Sequence, residues 1–370
     1  MTTPSPAVQE LILAAVKVAV IVGALQGVFS LMTWIERRVL AFMQFRLGPN
    51  RTGPFGILQP IADGIKLFFK EELMPAAANK WAFLAAPVVA VTTSFLAVAV
   101  LPYGPPFKLP TTESLPGFLA RFWPDWLSGR EFQLQIATID VGLLFIFAIT
   151  ALGVYGVVLA GWAANNKYSL LGGLRSSAQM FSYEIALGLS FVGVIMLAGS
   201  FQISDIVASQ AARAGGWFVG WNCFVQFPAF LVYFVAAAAE VARTPFDLPE
   251  GETELVAGFH TEYSSMRFAL IQMAEYVNMI TVSVLATALF LGGWHSGIPG
   301  TPTEGLLGFV LGFAFWGAKV GLLLFVFIWL RGTLPRFRYD QLMHFGWKAL
   351  IPVAAVWVMV TATGVAVFGW

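Results

Sequence analysis

Charge, cysteine and histidine are all scarce in this chain, and each scarcity excludes a class of function. Only 11% of the 370 residues are charged, whereas soluble domains average about 25%. Cys223 is the one cysteine, so the chain forms no internal disulfide and cannot supply the roughly four thiolates that an iron–sulfur cluster needs. His260, His295 and His344 lie far apart without metal-ligand spacing. We therefore expect no metal site.

Sequence patterns for nucleotide cofactors are also missing. No Gly-x-Gly-x-x-Gly follows a strand-like segment, and there is no P-loop lysine motif. The net charge of +1 gives no reason to expect nucleic acid as a partner. The residues of this chain alone therefore predict no site for NAD, flavin, ATP or a metal ion.

Long apolar segments are abundant instead. Hydrophobic residues make up 58% of the chain, and its mean hydropathy is +0.77. About 20 apolar residues cross a bilayer as a helix, and eight segments are close to this length. We predict an all-α membrane protein with a single membrane domain, residues 1–370, and eight spans at about 8–35, 81–101, 136–160, 176–199, 224–243, 268–293, 306–330 and 348–369.

Lysine and arginine are distributed unevenly between the predicted loops. One set of alternating loops holds fifteen of these residues, and the other set holds four. Because positive charge favours the cytoplasmic side of a membrane, the first set is predicted to be cytoplasmic. Both termini are then periplasmic, as an even number of spans requires. The cytoplasmic set comprises 36–80, 161–178, 243–267 and 331–348.

The loop at 36–80 has the pattern of an amphipathic helix. From Ile57 onward, apolar residues recur at helical spacing, and Asp63 and two lysines lie among them. A helix of this kind lies in the membrane interface. Two interpretations stay open: a surface anchor, or one wall of a mouth through which a lipid-like molecule enters.

Several ionisable side chains lie within or at the ends of predicted spans. A charge at the membrane centre costs about 2.5–3.5 kcal/mol on insertion scales, so each group needs a partner, water or protonation. A desolvated carboxylate resists ionisation, which suits a group that takes up and releases protons. The alternatives are an interhelical ion pair with the lysine and, for acids near span ends, solvation. The residues are Asp140, Glu184, Glu240, Glu275 and Lys319.

The loop at 244–267, which we call the acidic loop, runs against the positive trend of cytoplasmic loops. It has no lysine or arginine between Arg243 and Arg267, so we expect its acids to be unpaired. Leu255, Val256 and Phe259 interleave with them, which favours a loop packed toward the membrane over the alternative of a solvated face. Its acids are Asp247, Glu250, Glu252, Glu254 and Glu262.

Four segments, in this order, resemble one known family. They are ERRVLAFMQFRLGPNRTGPFGILQPIADGIKLFFKE, NNKYSLLGGLRSSAQMFSYEI, EVARTPFDLPEGETELVAGFHTEYSS and MAEY. They resemble the H-type membrane subunit of bacterial respiratory complex I, NADH:quinone oxidoreductase, which is the counterpart of mitochondrial NADH dehydrogenase subunit 1. The resemblance covers most of the chain, and the family's eight-span topology agrees with the count made above.

The resemblance implies a subunit of a proton-translocating translocase of the respiratory chain. It implies that the chain forms the membrane side of a quinone chamber and couples quinone reduction to proton translocation through a chain of carboxylates. Quinone, either ubiquinone or menaquinone, is then the substrate, while NADH, FMN and iron–sulfur clusters belong to partner subunits. The implied partners are peripheral-arm subunits at the quinone site, small and antiporter-like membrane subunits, and the lipid of the bacterial inner membrane.

Site residues follow from the resemblance by their positions in the motifs. Arg243 and Phe246 fall in the same motif as the acidic loop and are implied to be structural. For the quinone chamber, the resemblance implies Glu36, Arg37, Arg46, Asp63, Asp247, Glu250, Glu252 and Glu254. For the proton path, it implies Glu184, Glu240, Glu262 and Glu275.

Three other functions fit the sequence less well. A transporter or channel acting alone is disfavoured because no internal repeat is evident. A role in a membrane hydrogenase is disfavoured by the motif GPNRTGPFG together with the full acidic loop. A purely structural anchor for a peripheral arm is disfavoured by the acids within the spans.

Overall fold

The computed structural model describes residues 5–111, 125–213, 217–249, 251–302 and 305–369, with the backbone alone at 125, 252 and 253. These ranges are mostly helical. The first helices are α1 Pro6–Met43, α2 Gln59–Phe69, α3 Lys80–Val98, α4 Gly142–Ala163, α5 Lys167–Ala198, α6 Ile203–Ala212 and α7 Asn222–Val225. The others are α8 Phe227–Glu240, α9 Glu252–Leu255, α10 Ser265–Phe290, α11 Gly305–Thr333, α12 Tyr339–Phe345 and α13 Ile351–Phe368.

Shorter elements connect these helices. A π-helical turn, Gly346–Leu350, joins α12 to α13 without a break. Two antiparallel strands, β1 Phe107–Lys108 and β2 Glu131–Phe132, pair Phe107 with Phe132. Single 3-10 turns are formed by Pro54–Gly56, Asp125–Leu127, Phe218–Gly220 and Gly258–His260.

Seven helices in the described ranges are long and apolar enough to cross a membrane: α1, α3, α4, α5, α10, α11 and the continuous segment Tyr339–Phe368. The prediction of an all-α membrane protein is therefore confirmed. The predicted fifth span, 224–243, is instead the 14-residue apolar helix α8. At 1.5 Å per residue, α8 is about 21 Å long, shorter than the ~30 Å hydrocarbon core. The count of eight spans and the side of each terminus stay predictions.

The helix α10 lies at the centre of the molecule. In its apolar stretch 83% of the residues are buried, against 11% in α1. Helices α3, α4 and α5 pack side by side, α10 packs on α3, and both α8 and α13 pack on α5. Small residues allow these close approaches: a Cβ added at Gly156 would lie 3.0 Å from Ala90, and one at Gly161 would lie 2.6 Å from the Ser169 carbonyl.

The helix expected in the loop at 36–80 is present as α2. None of its residues is buried, and the exposed fractions of Ile61 and Phe68 are 59% and 68%. Its apolar side is thus free to meet lipid or another protein chain. The end of α2 is fastened to the start of α10, where the Ser265 hydroxyl donates to the Leu67 carbonyl at 2.8 Å. The loop at 36–80 and the acidic loop are therefore neighbours in the fold.

Candidate functional site

Glu36, near the end of α1, is a carboxylate on which side chains from three other segments converge. Only 4% of its surface is exposed. The Tyr276 hydroxyl of α10 donates to its Oε2 at 2.5 Å, and Nη1 of Arg243 donates to its Oε1 at 3.4 Å. Arg331 of α11 donates to the same Oε1. These four residues, which we call the Glu36 cluster, place two cations around one buried anion.

Arg243, just after α8, is the more buried of the two cations. Its side chain is 11% exposed, against 35% for Arg331, and its guanidinium carbon lies 4.5 Å from the centroid of the Tyr276 ring. Burial alone lowers the pKa of Arg243, but the nearby Glu36 carboxylate raises it, and the net effect is a pKa above the usual arginine value. The guanidinium therefore stays charged. Its Nε and Nη2 find no hydrogen-bond acceptor among the described residues.

A cavity of about 60 Å³ lies between α3, α4, α5, α10 and the start of the acidic loop. Glu240 and Glu275 both line this acid cavity, together with the polar side chains of Thr93, Ser176 and Asn278. One water molecule needs roughly 10–15 Å³ of such space and two or more polar partners. The acid cavity is therefore large enough and polar enough to hold a few water molecules between two carboxylates.

A third acid lies close to this pair. Glu184 of α5 is near enough for its charge to act on Glu240. Oε2 of Glu240 has no hydrogen-bond partner among the described residues. The structure thus brings together three of the four acids predicted for the proton path. Asp140, by contrast, is exposed just before α4, as the solvation alternative expects.

Arg37 and Asp63, two of the predicted chamber residues, form an ion pair at 2.6 Å between α1 and α2. Gln59 donates to the other Asp63 oxygen at 3.0 Å. The side chain of Arg37 is 53% exposed, whereas that of Asp63 is 26% exposed. Arg46 is exposed, and its guanidinium donates to the side-chain carbonyl of Gln44 at 2.7 Å. Residues 36 and 37 therefore diverge: Glu36 faces the protein interior and Arg37 faces α2.

The expectation that the acids of the acidic loop are unpaired is wrong for Glu254. Arg175 donates to Glu254 at 2.6 Å, because the fold lays the start of α5 against this loop. The loop also packs inward as expected, with Leu255 only 3% and Phe259 only 4% exposed. Val256 is the exception among the interleaved apolar residues, since it is 63% exposed.

The other acids of this loop differ in their surroundings. Asp247 is half-buried, and Glu262 accepts a hydrogen bond from the Asn166 amide at 2.7 Å. Glu252 opens α9, and Glu250 lies outside the described residues. Glu262 belongs to the junction of α4 with α5, and it does not line the acid cavity.

Lys319 does not form the interhelical ion pair considered as an alternative, since it pairs with no acid in the described ranges. Its ammonium lies 4.0 Å from the centroid of the Trp221 ring. Carbonyls beyond the end of a helix carry partial negative charge, so they can satisfy an ammonium group without a carboxylate. Here the ammonium donates to the carbonyls of Leu291 at 2.6 Å, Gly293 at 3.0 Å and His295 at 2.6 Å.

A nearly all-apolar crevice of about 480 Å³ opens between α1 and α11. Its walls run from Val20 to Ile35 on α1 and from Phe313 to Ile328 on α11. Fifteen helical residues rise about 22 Å, so this apolar crevice is long enough for an extended hydrocarbon chain. Its end at Ile35 adjoins Glu36, and the crevice therefore leads to the Glu36 cluster.

Sequence reasoning missed Tyr276 and Arg331 as partners of Glu36, and it missed the apolar crevice. Tyr276 directly follows Glu275, a predicted site residue, and this position in the sequence could have indicated it. Gly317 and Gly321 line the crevice, and their spacing of four residues marks a narrow face on α11. No local signal pairs Arg331 with Glu36, because the two lie 295 positions apart in the chain.

Known proteins resemble this chain over nearly its whole length. A family model described as NADH dehydrogenase matches residues 16–362. The NADH-quinone oxidoreductase H-type subunit numbered 1 in Geobacter sulfurreducens is 51% identical over 329 residues, covering 89% of this chain and 88% of that protein. The H-type subunit numbered 2 in Koribacter versatilis is 48% identical over 362 residues, covering 96% and 98%. The one numbered 1 in Geobacter metallireducens is 47% identical over 357 residues, with the same coverage.

Proposed function

Because the chain belongs to the NADH dehydrogenase family, as a membrane subunit of NADH-quinone oxidoreductase, we propose that it forms the membrane side of the quinone chamber. We further propose that its carboxylates couple quinone reduction to proton translocation across the bacterial inner membrane. NADH, FMN and the iron–sulfur clusters then belong to the peripheral subunits that deliver electrons. The antiporter-like and small membrane subunits then respond to the change at these carboxylates.

The observation that carries this proposal is the position of the acid cavity beside the Glu36 cluster. Glu275 lines the cavity, and the next residue, Tyr276, bonds to Glu36. Glu240 lines the same cavity, and Glu184 is its electrostatic neighbour. Glu36, a predicted chamber residue, is therefore connected to the group of three acids through two consecutive residues of α10. An anchor without a proton-handling role has no need of this arrangement.

The apolar crevice supports the access route for the quinone. A quinone has an apolar tail and a polar head group. Among the described residues the crevice is lined by no charged side chain, and the Glu36 cluster adjoins its end at Ile35. We propose that the tail lies between α1 and α11 while the head group passes the Glu36 cluster. The exposed apolar side of α2 forms the neighbouring wall.

The acidic loop supplies the electrostatic response. Reduction of a quinone adds two electrons, and two unit charges 4 Å apart interact by about 4 kcal/mol at an effective dielectric constant of ~20. A charge change of this size near Asp247 and Glu254 is enough to alter which acids carry protons. The effect of quinone reduction on the acid cavity is then described by a coupling free energy between the quinone chamber and the cavity.

The test uses Glu184→Gln and Glu254→Gln in the assembled complex. NADH–ferricyanide activity should persist in both, because it needs only the peripheral subunits, whereas quinone reduction and proton pumping should fall. Glu131→Gln, which changes an exposed acid on β2, is the matched control and should match the unmodified complex. Normal quinone reduction together with normal pumping in both test variants would contradict the proposal.

A further inference from the structure

Arg243 stands between the two groups of acids, and we propose that it is a positioning residue that links the charge state of Glu36 to that of Glu275. This inference rests on the proposed proton path. It gives a role to Arg243, which the family motif implies only to be structural. Its basis is the arrangement of Arg243, Glu36, Tyr276 and the acid cavity.

On α10, the Glu36 cluster and the acid cavity are contacted by two consecutive residues, Tyr276 and Glu275. Consecutive residues of a helix point about 100° apart. Tyr276 therefore faces Glu36, to which its hydroxyl donates at 2.5 Å, while Glu275 faces the cavity. Two consecutive residues of α10 therefore face the two groups of acids.

On the α8 side, the acid cavity and the Glu36 cluster are contacted by the three residues after Glu240. Val241 and Ala242 line the acid cavity with Glu240. Arg243 then turns toward Glu36, which it meets at 3.4 Å. Glu275 also attracts this guanidinium electrostatically. One cation is therefore held between an acid of each group.

The hold of Arg243 on Glu36 is loose. At 3.4 Å its contact is near the outer limit of a hydrogen bond, and Arg331 also donates to Oε1 of Glu36. Because Arg331 keeps Glu36 partnered, Arg243 can shift toward Glu275 without leaving a buried carboxylate alone. Its Nε and Nη2, which have no acceptor among the described residues, are the donors that such a shift would use.

The consequence follows from sharing one guanidinium between two carboxylates. When Glu36 is protonated, Arg243 interacts more strongly with Glu275, which favours ionised Glu275 and release of its proton into the acid cavity. When negative charge is present at or beside Glu36, Arg243 is drawn there and Glu275 retains its proton. The coupling is reciprocal, as any linkage between two sites must be.

A double-mutant cycle between Glu36→Gln and Glu275→Gln in the assembled complex tests this. The readouts are quinone reduction and the number of protons pumped per electron, each relative to NADH–ferricyanide activity. We expect both single variants to lose activity. The residual activity of the double variant should be about fivefold higher than the product of the two single residual activities, which corresponds to about 1 kcal/mol of coupling. With Arg243→Gln in all members, this excess should vanish, and Arg243→Lys should restore part of it.

Three outcomes would overturn the inference. Independent effects of the two glutamate variants, with Arg243 intact, would overturn the link through Arg243 while leaving the proposed function standing. An excess that persists unchanged with Arg243→Gln would assign the link to another residue. Normal activity of Glu275→Gln alone would contradict the proposed proton path itself. Where Arg243→Gln fails to assemble, the same cycle is measured in Arg243→Lys, and an excess undiminished by this substitution would overturn the role of Arg243. Arg130→Gln, at an exposed pair with Glu10, is the control.

Discussion

The Tyr276 hydroxyl donates to Oε2 of Glu36 at 2.5 Å, which joins the central helix α10 to the peripheral helix α1. Since Glu36 is 4% exposed, protein groups rather than bulk water must satisfy this carboxylate. The bond therefore fixes the inner end of α1, where the apolar crevice meets the Glu36 cluster.

Tyr276→Phe removes this donor while keeping the ring. A hydrogen bond to a charged group contributes about 1.5–3 kcal/mol, so we expect a lower unfolding temperature of the subunit and slower quinone reduction. Tyr155→Phe is the matched control, because Tyr155 is 57% exposed. Thermal unfolding of the purified complex and its quinone reductase rate are the measurements. Equal behaviour of the two variants would show that the Tyr276 hydroxyl does not support Glu36.

Gly172→Ala should displace the acidic loop from α5. An added Cβ would lie 2.8 Å from the backbone of both Gly258 and Phe259, and backbone atoms cannot give way as a flexible side chain can. Overpacking of this kind typically costs about 1–3 kcal/mol. We expect faster proteolysis within the loop and slower quinone reduction, with NADH–ferricyanide activity unchanged. Gly23→Ala is the control, because its Cβ meets nothing within 4 Å, and it should alter neither proteolysis nor either activity. A Gly172→Ala complex that behaves like Gly23→Ala would refute the close packing of α5 against the acidic loop.

Lys319→Met should release the segment that follows α10. The variant leaves the carbonyls of Leu291, Gly293 and His295 without the ammonium they share, and each unsatisfied buried group costs about 1–3 kcal/mol. We expect a lower unfolding temperature and faster proteolysis at 291–302. Lys108→Met, at an exposed position, is the control. A Lys319→Met complex as stable as this control would remove the anchoring role from Lys319.

His295 predicts a pH dependence of stability. Burial lowers its pKa, and the Lys319 ammonium lowers it further. Below about pH 6.5, the usual histidine value, the unfolded chain therefore binds a proton that the folded chain does not. Stability from this group is complete above about pH 6.5 and is lost as the pH falls toward the folded pKa. The unfolding temperature of the purified complex should fall less steeply over this interval in His295→Gln; parallel curves for His295→Gln and the unmodified complex would contradict the assignment.

Much of the fold could be predicted because its signals are local. Apolar runs located the helices, and helical spacing from Ile57 onward indicated α2. The motif-based resemblance to a membrane subunit of complex I is confirmed by the full-length matches. The interleaved apolar residues of the acidic loop indicated that it packs inward, as Leu255 and Phe259 do.

What the sequence could not predict are partners brought together by folding. Arg175 reaches Glu254 from 79 positions away, so a count of charges within the loop misses the pair. Lys319 is satisfied by carbonyls, which every residue possesses and which no composition reveals. The sequence predicts a full-length span at 224–243 because the residues that flank α8 are also largely apolar, but only 14 residues are in the helix.

The most direct test of the central claim is the infrared difference spectrum of the assembled complex between its oxidised and quinone-reduced states. If the acids around the cavity change protonation when quinone is reduced, the unmodified complex will show a carboxyl C=O difference band. This band should be lost or shifted in Glu240→Gln and Glu275→Gln and retained in Glu131→Gln. Identical carboxyl bands in all four complexes would contradict the account.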